Sequence, residues 1–328
     1  MAQPTSNGAE RTPRQFFGRM LFLAVRTPTL FVLLFAVVGF FARYSWHCEL
    51  LCHFRLQYAW LLLLAGVALL IARSRWFAVI AGVGAAVNFA FVLPIYWPAE
   101  QPTAASESWR LVSYNVLGSN NRSAEVLAML RAETADVVLL YEVNARWAKE
   151  FATLRDEYPH QKIVPRENNF GIALLSRRRW DDVQVQYFGQ TDFPSIVAQF
   201  THTSQLVTLI GTHPPPPVNR YVAQVRNQQL AGLAQFTAEA SGPVILAGDL
   251  NVTSYSPYFQ DLLRVGKLSD SRQGFGVQAS WNKGIPGMAI PIDHVLVSPT
   301  IGVVSRRIGR PLGSDHCPVM VELKLPSL

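Results

Sequence analysis

The chain has 328 residues, of which 50% are hydrophobic, and a formal net charge of +7. Its length allows one large domain or two smaller ones. The first 108 positions hold eight basic and four acidic residues, and the rest hold 21 and 18. Because the larger part is only mildly basic, charge alone gives no argument for nucleic-acid binding.

The N-terminal part carries three apolar segments close to the roughly 20 residues that a membrane-spanning helix needs. A buried helical bundle is the alternative, but the segments are apolar all round and joined by short charged links, which favours spans. A cleaved signal peptide would account for one segment and leave two unexplained. The segments are Pro28–Ala42, Gln57–Ala72 and Trp76–Trp97.

Basic residues cluster before the first span and between the second and third, the pattern of cytoplasmic segments. We therefore predict a multi-pass cell-membrane protein, with residues 1–97 as an anchor in the lipid bilayer and the rest on the extracytoplasmic side. The basic residues are Arg11, Arg14, Arg19 and Arg26, then Arg73 and Arg75, whereas the link between the first two spans has Arg43 and Arg55.

Two of the three cysteines, Cys48 and Cys52, lie in the link between the first two spans, flanked by His47 and His53. Their spacing allows a disulfide in an oxidising compartment or a small metal site, and two ordinary interfacial thiols are the third possibility. Cys317 is predicted to be a small buried hydrophobe.

Residues 98–108 form a polar linker, and residues 109–328 have the composition of a soluble domain. Apolar runs predict several strands, and two helical patterns lie between them, the first with Ser123 as its cap. Long connections alternate with hairpins, which favours two packed sheets with helices outside. The strands include Leu111–Val116, Ala135–Val143, Phe170–Arg177, Ser195–Thr201 and Leu206–His213; the helices are Ser123–Ala132 and Tyr221–Thr237.

Polar residues of the kinds that bind metal or phosphate follow most of these strands. Oxygen ligands and imidazoles without paired thiolates favour Mg²⁺ or Mn²⁺ over structural zinc. The domain lacks a Gly-rich phosphate loop, a Gly-x-Ser-x-Gly elbow and a His-Glu-x-x-His helix. Asp249 and Asn251, two apart in a strand, would point the same way. The full set is Asn115, Glu142, His213, Asp249 with Asn251, Asp293 with His294, and Asp315 with His316.

The motifs SYNVLG, DVVLLYEV, GIALLSR, GTH, LAGDLNVT, PIDHVLVS and GSDHCPVMVEL follow one another along the chain. From Trp109 to Leu325 this order resembles the endonuclease/exonuclease/phosphatase superfamily, which includes apurinic-site endonucleases, pancreatic-type deoxyribonucleases, neutral sphingomyelinases and inositol-polyphosphate phosphatases. The resemblance implies a four-layer α/β sandwich, two mixed sheets flanked by helices, that hydrolyses phosphoesters.

The resemblance also implies a metal site. Glu142 would be the main ligand, with Asn115 beside it and Asp315 on the other side of the ion. Two positions depart from the usual pattern. Leu117 stands where many nucleases have Asp or Asn, and Tyr141 where Gln often precedes the glutamate.

By the same resemblance, Asp249 would position or deprotonate the attacking water, and Asn251 would contact a phosphate oxygen. Asp293 would be the partner of His316, which serves as base or as phosphate clamp. His213 would stabilise the transition state or protonate the leaving group.

Three further residues are candidate substrate contacts. Asn168 and Asn169 either touch substrate or form a turn, and Trp281, with Asn282, would form part of the pocket wall. The leading hypothesis is a nuclease acting on DNA or RNA outside the cytoplasm. A lipid phosphodiesterase acting on phospholipid headgroups, a phosphatase and a non-catalytic membrane scaffold are the alternatives, and no protein partner can be inferred.

Overall fold

The computed structural model describes residues 13–98, 105–281, 284–285 and 287–326. The N-terminal part consists of helices joined by short connections. They are α1 (Pro13–Val38), followed by a 3-10 turn (Gly39–Phe41), α2 (Trp46–Cys52), α3 (Arg55–Ile71) and α4 (Arg75–Val92), which ends in a second 3-10 turn (Leu93–Tyr96).

Two of these helical segments, Phe16–Phe41 and Arg75–Tyr96, are long and apolar enough to cross a membrane. A third crossing is possible if α2 and α3, which are bent by 63° relative to each other, form one span. Large apolar side chains such as Phe31 and Leu64 are exposed on these helices, which is the kind of surface that a bilayer or another protein covers.

The rest of the described chain builds two six-stranded sheets. The first has the order β11-β12-β1-β2-β4-β3 and the second β5-β6-β7-β8-β10-β9. Each contains one parallel pair, β1 with β2 and β7 with β8, among antiparallel neighbours. The strands are β1 (Ala105–Asn115), β2 (Val137–Tyr141), β3 (His160–Val164), β4 (Ile172–Ser176), β5 (Asp182–Tyr187), β6 (Pro194–His202), β7 (Gln205–Thr212), β8 (Val244–Asp249), β9 (Ser269–Asp270), β10 (Asp293–Val297), β11 (Gly302–Ile308) and β12 (Val319–Pro326).

The sheets pack face to face around one apolar core, in which residues such as Leu139 and Ile245 are buried. Helices α5 (Ser123–Glu133) and α6 (Ala145–Ala152) cover the outer face of the first sheet, where Trp147 is fully buried. Helices α7 (Arg220–Glu239) and α8 (Pro257–Gly266) cover the second sheet in the same way. The layers are therefore helix, sheet, sheet and helix, which confirms the predicted four-layer α/β sandwich.

Some local predictions were wrong or incomplete. Ser123 does not cap α5: Arg122 is the N-cap residue, and the Ser123 hydroxyl donates to Glu150. Helix α2 was not predicted; Cys48 and Cys52 lie on it as free thiols. Cys317 is buried, as predicted. Strand β1 already begins at Ala105, inside the expected linker, of which residues 99–104 lie outside the described chain.

Candidate active site

The predicted polar residues meet where strands of the two sheets end. Asn115 is the last residue of β1, and Glu142 directly follows the parallel neighbour β2. Asp249 ends β8, opposite Asp293 at the start of the antiparallel strand β10. His213 directly follows β7, which pairs with β8. The topology thus gathers side chains from distant parts of the sequence at one end of the sandwich.

Asp249 lies at the centre of this cluster and is buried. Its Oδ2 atom accepts a hydrogen bond of 3.0 Å from the Asn115 amide. The same oxygen lies 3.3 Å from His213 Nε2 and 3.5 Å from His316 Nε2. Burial would raise the pKa of Asp249, but His316, His213 and the Asn115 hydrogen bond outweigh it and hold the pKa below its ordinary value. Asp249 is therefore a carboxylate at neutral pH.

His316 and Asp293 form a second buried pair, in which His316 Nδ1 lies 2.9 Å from Asp293 Oδ2. Burial lowers the pKa of His316, but the carboxylates of Asp293 and Asp249 outweigh it and raise the pKa to about 10. Burial, together with the charge of Asp249, raises the pKa of Asp293. With Nδ1 facing Asp293, the imidazole presents Nε2 to Asp249, so its orientation is fixed from both sides.

Glu142 adopts a left-handed backbone conformation, with φ of 61°. Its Oε1 accepts a 2.9 Å hydrogen bond from Asn115 Nδ2, and its Oε2 accepts one of 3.2 Å from the Gly118 backbone. The Asn115 amide nitrogen thus joins Glu142 to Asp249, while its oxygen accepts from the Leu117 N–H. In this arrangement Asn115 orients the two carboxylates through its amide nitrogen.

These oxygen donors fit a hard divalent cation such as Mg²⁺. Two carboxylates that share one neutral amide donor leave lone pairs free for an ion, and Glu142 is half-buried at the edge of the cluster. Among the described residues, the one group of three or more His, Cys, Asp and Glu side chains with ligand atoms within 4.8 Å of one another is Asp249, Asp293 and His316. In this group both ring nitrogens of His316 face carboxylates, those of Asp293 and Asp249, and this arrangement suits acid–base chemistry better than metal ligation.

Asp315 is exposed, and its Oδ2 atom accepts a 2.9 Å hydrogen bond from Trp281 Nε1. Trp281 also forms a β-bridge with His316, and the two rings lie 6.4 Å apart. Trp281 thus borders the cluster, and Asn282 lies outside the described residues. His294 points to the other face of the sheet, where its Nε2 atom donates to the Val252 carbonyl at 2.7 Å.

Asn251 reaches the site in a different way from the one predicted. Strand β8 ends at Asp249, and Asn251 has φ of 50°, so strand alternation does not bring the two together. Instead the Asn251 N–H donates to Asp249 Oδ1 at 3.1 Å, and the side-chain nitrogen lies 2.9 Å from the Pro214 carbonyl and 3.4 Å from His213 Nε2. A tight turn places the amide beside His213.

Asn168 and Asn169 are both exposed. Asn169 has φ of 66°, and its Oδ1 atom lies close to Gly118, which also contacts Glu142. Asn168 accepts a hydrogen bond of 3.4 Å from the Phe170 N–H and so forms a turn. Asn169 thus lies near the Glu142 side of the cluster, and Asn168 is part of the adjacent turn.

Two contributors were missed in the sequence. The Ser314 hydroxyl accepts from the His316 N–H at 3.0 Å and donates to the Asn115 carbonyl at 2.8 Å, so it ties the last motif to the first. Its place in GSDHCPV was the available signal. Tyr141, at the position that departs from the family pattern, is fully buried and donates to the Ala247 carbonyl at 2.9 Å. It therefore links the two sheets beneath the site.

Residues 112–316 match the Endonuclease/Exonuclease/phosphatase family. The chain belongs to this family. No curated protein matches it. A solved structure of D. rerio TDP2 complexed with single strand DNA product is 19% identical, with a TM-score of 0.56, over 66% of this chain and 99% of that one.

Two bacterial structures of the same family are similar too. The protein from Beutenbergia cavernae is 21% identical, with a TM-score of 0.55, over 67% of this chain and 72% of its own. The protein from Bacteroides vulgatus is 20% identical, with a TM-score of 0.56, over 67% and 100%. At these identities the structures establish the shared fold, and the family match establishes a metal-dependent phosphoester hydrolase.

Proposed function

We propose that the protein is a membrane-anchored phosphodiesterase that uses a divalent metal and an in-line water attack, and that its substrate is nucleic acid outside the cytoplasm. The observation that carries the chemistry is the position of the Asp249 carboxylate, within 3.5 Å of both His213 and His316 and hydrogen-bonded to the amide that also holds Glu142.

Asp249 is the residue that receives the proton of the attacking water. It is ionised because neighbouring imidazoles and the Asn115 amide hold its pKa below the ordinary value in spite of burial. Its two oxygens are fixed by hydrogen bonds from Asn251 and Asn115, so a water bound to it has a defined direction. Holding reactants in this way lowers the entropic part of the barrier.

His316 acts as a charged donor to a phosphoryl oxygen in this proposal, because its raised pKa keeps it an imidazolium at neutral pH. The Asn251 amide, 3.4 Å from His213, would offer a second donor, and His213 would act on the leaving group. Such preorganised donors contribute several kcal/mol to transition-state stabilisation. A divalent cation held by Glu142 would add Lewis-acid charge at the phosphoryl oxygens.

Nucleic acid is the proposed substrate because the TDP2 structure with the same fold was obtained with a single strand DNA product. A phospholipid headgroup is the second candidate, and one observation favours it. The domain packs directly on the spans: Gln273 Nε2 donates to the carbonyls of Pro94 and Trp97, each at 2.7 Å. A site held this close to the helices could reach lipid phosphates.

The extracytoplasmic orientation is supported by the two ends of the helical part. Arg19 and Arg73 lie at one end, where they line a common surface depression. The catalytic domain contacts the other end, where Arg43 pairs with Asp261. Since clustered basic residues favour the cytoplasm, the domain would lie outside. In a Cys48→Ser background, an impermeant maleimide should label an Arg310→Cys variant in intact cells, and should label an Arg73→Cys variant only after permeabilisation; the reverse pattern would refute this orientation.

The substrate proposal is tested with the full chain in detergent or lipid nanodiscs. Wild type, Asp249→Ala and the surface control Asp261→Ala are each incubated with plasmid DNA, RNA and sphingomyelin vesicles in Mg²⁺. We expect nucleic-acid cleavage by wild type and the control and its loss in Asp249→Ala. Cleavage of lipid alone would overturn the nuclease proposal and establish the lipid phosphodiesterase.

A further inference from the structure

One buried ion pair joins the N-terminal helices to the catalytic domain. Glu49, on α2, and Arg226, on α7, are both almost completely buried. Arg226 Nη2 donates to Glu49 Oε2, and the two side chains form an ion pair. The other Glu49 oxygen accepts a 2.7 Å hydrogen bond from the Ser256 hydroxyl. Both carboxylate oxygens of Glu49 thus accept hydrogen bonds from side chains of the catalytic domain.

The pair leads to the active site. Arg226 Nη1 donates to the Asn251 carbonyl at 2.9 Å, and the rest of its guanidinium contacts the side chain of Asn227. Asn251 is the residue in the left-handed turn whose N–H donates to Asp249. Its backbone is therefore held on one side by the Asp249 carboxylate and on the other by Arg226.

The same loop contacts the N-terminal part at another point. The Thr253 hydroxyl lies 2.9 Å from His53 Nδ1, and both side chains are buried. Ser256, which contacts Glu49, also caps α8 by accepting from the Tyr258 N–H. Residues 250–256 are thus held at successive positions by α2 and the residue that follows it. By contrast, the Arg43–Asp261 pair joins the two parts at an exposed place.

A simple tether does not need this arrangement. A buried ion pair contributes little net stability, because well-packed apolar residues in the same place often stabilise a fold equally well or better. What the charged pair adds is direction, because a planar guanidinium held by a carboxylate offers its remaining N–H groups at fixed positions. Here one of those groups is directed at the carbonyl of an active-site residue.

We propose that Glu49 and Arg226 are positioning residues for catalysis, through which α2 of the N-terminal part fixes the Asn251 turn of the active site. The membrane anchor is then a component of the active site as well as an attachment. This inference rests on the proposed phosphodiesterase activity, and it predicts that the isolated catalytic domain is a poor enzyme.

The test uses the full chain in detergent with bis(p-nitrophenyl) phosphate and Mg²⁺. The isosteric variant Glu49→Gln removes the charge that holds Arg226, and we expect kcat to fall about tenfold or more with KM little changed. Arg43→Ala, which breaks the exposed pair between the same two parts, is the matched control and should keep wild-type kcat. The loss should appear in kcat per folded molecule, measured beside the melting temperature, because a merely structural role would change the folded fraction and leave that kcat unaltered.

The outcomes separate this inference from the proposed function. If the wild-type chain shows no turnover with any metal, the proposed function fails. If wild type is active and folded Glu49→Gln keeps its kcat, or lowers it no more than Arg43→Ala does, the positioning role is overturned. If Glu49→Gln does not fold, Arg226→Lys, which keeps the charge but loses the fork, is measured in the same way. Loss of folding in both variants would show that the pair is structural and would also overturn the inference.

Discussion

Replacement of Asp293 by Asn tests the role of the buried pair with His316. The side chains meet through one hydrogen bond of 2.9 Å, and both are almost inaccessible to solvent. Asparagine keeps the size of the side chain and a neutral hydrogen bond, but it removes the charge that helps to keep His316 protonated. It also allows the imidazole to take the other tautomer, because an amide can donate to Nδ1 as well as accept from it.

The size of the effect follows from these losses. Acid–base or charged-donor help from one histidine is worth about 10²–10⁴-fold. We therefore expect Asp293→Asn to lower kcat by that factor, equivalent to about 2.7–5.5 kcal/mol in the activation free energy. The free energy of unfolding should fall by about 1–3 kcal/mol, the usual consequence of weakening a buried charge-assisted hydrogen bond.

The assay measures kcat and KM for bis(p-nitrophenyl) phosphate, beside the melting temperature of the same preparation. A loss confined to kcat in a folded protein would support the account. A variant whose kcat stays within about tenfold of wild type would refute it, because His316 would then work without its carboxylate partner.

Three further predictions concern the same domain. Asp270→Asn leaves Arg272 buried without its counter-charge. We expect the free energy of unfolding to fall by about 3–5 kcal/mol while kcat stays unchanged. A large fall in kcat per folded molecule would contradict this. Burial, and after it the charge of Arg272, lowers the pKa of His294 to about 3. Below about pH 6.5 the unfolded chain therefore binds a proton on His294 that the folded chain does not. The free energy of unfolding should fall as the pH falls, by about 2 kcal/mol at pH 5. Denaturation at pH 7 and 5 should show a smaller acid effect in His294→Gln, and an equal one would exclude His294 as its cause. Glu142→Gln should raise the Mg²⁺ concentration for half-maximal activity at least about tenfold, and an unchanged Mg²⁺ titration would remove Glu142 from the metal site.

The strand-end residues could be predicted because the signal is local. An apolar run that stops at a polar residue marks both a buried strand and the point where it reaches the surface, as at Asn115, Asp249 and Asp293. The order of the motifs then indicated the four-layer sandwich. The backbone at Glu142 and Asn251 could not be predicted this way, because both adopt left-handed conformations set by the hydrogen bonds around them.

The contacts between the N-terminal helices and the domain could not be predicted from the sequence, for a different reason. Glu49 and Arg226 are 177 positions apart. A charged residue in an apolar link, or on a mostly apolar helix face, does not indicate which residue it pairs with. The signal was present in retrospect, since Arg226 lies on the same face of α7 as the buried Ala223 and Leu230. A buried charge on such a face requires a partner, but the fold decides which one.

Every proposal above depends on hydrolysis of phosphodiesters by this chain with a metal and Asp249. The most direct measurement is hydrolysis of bis(p-nitrophenyl) phosphate by the full chain in Mg²⁺ or Mn²⁺, with and without chelator, beside Asp249→Ala. We expect turnover that the chelator abolishes and that the substitution lowers by orders of magnitude in a folded protein. Turnover that survives both, or none with any metal from folded wild type, would contradict this expectation.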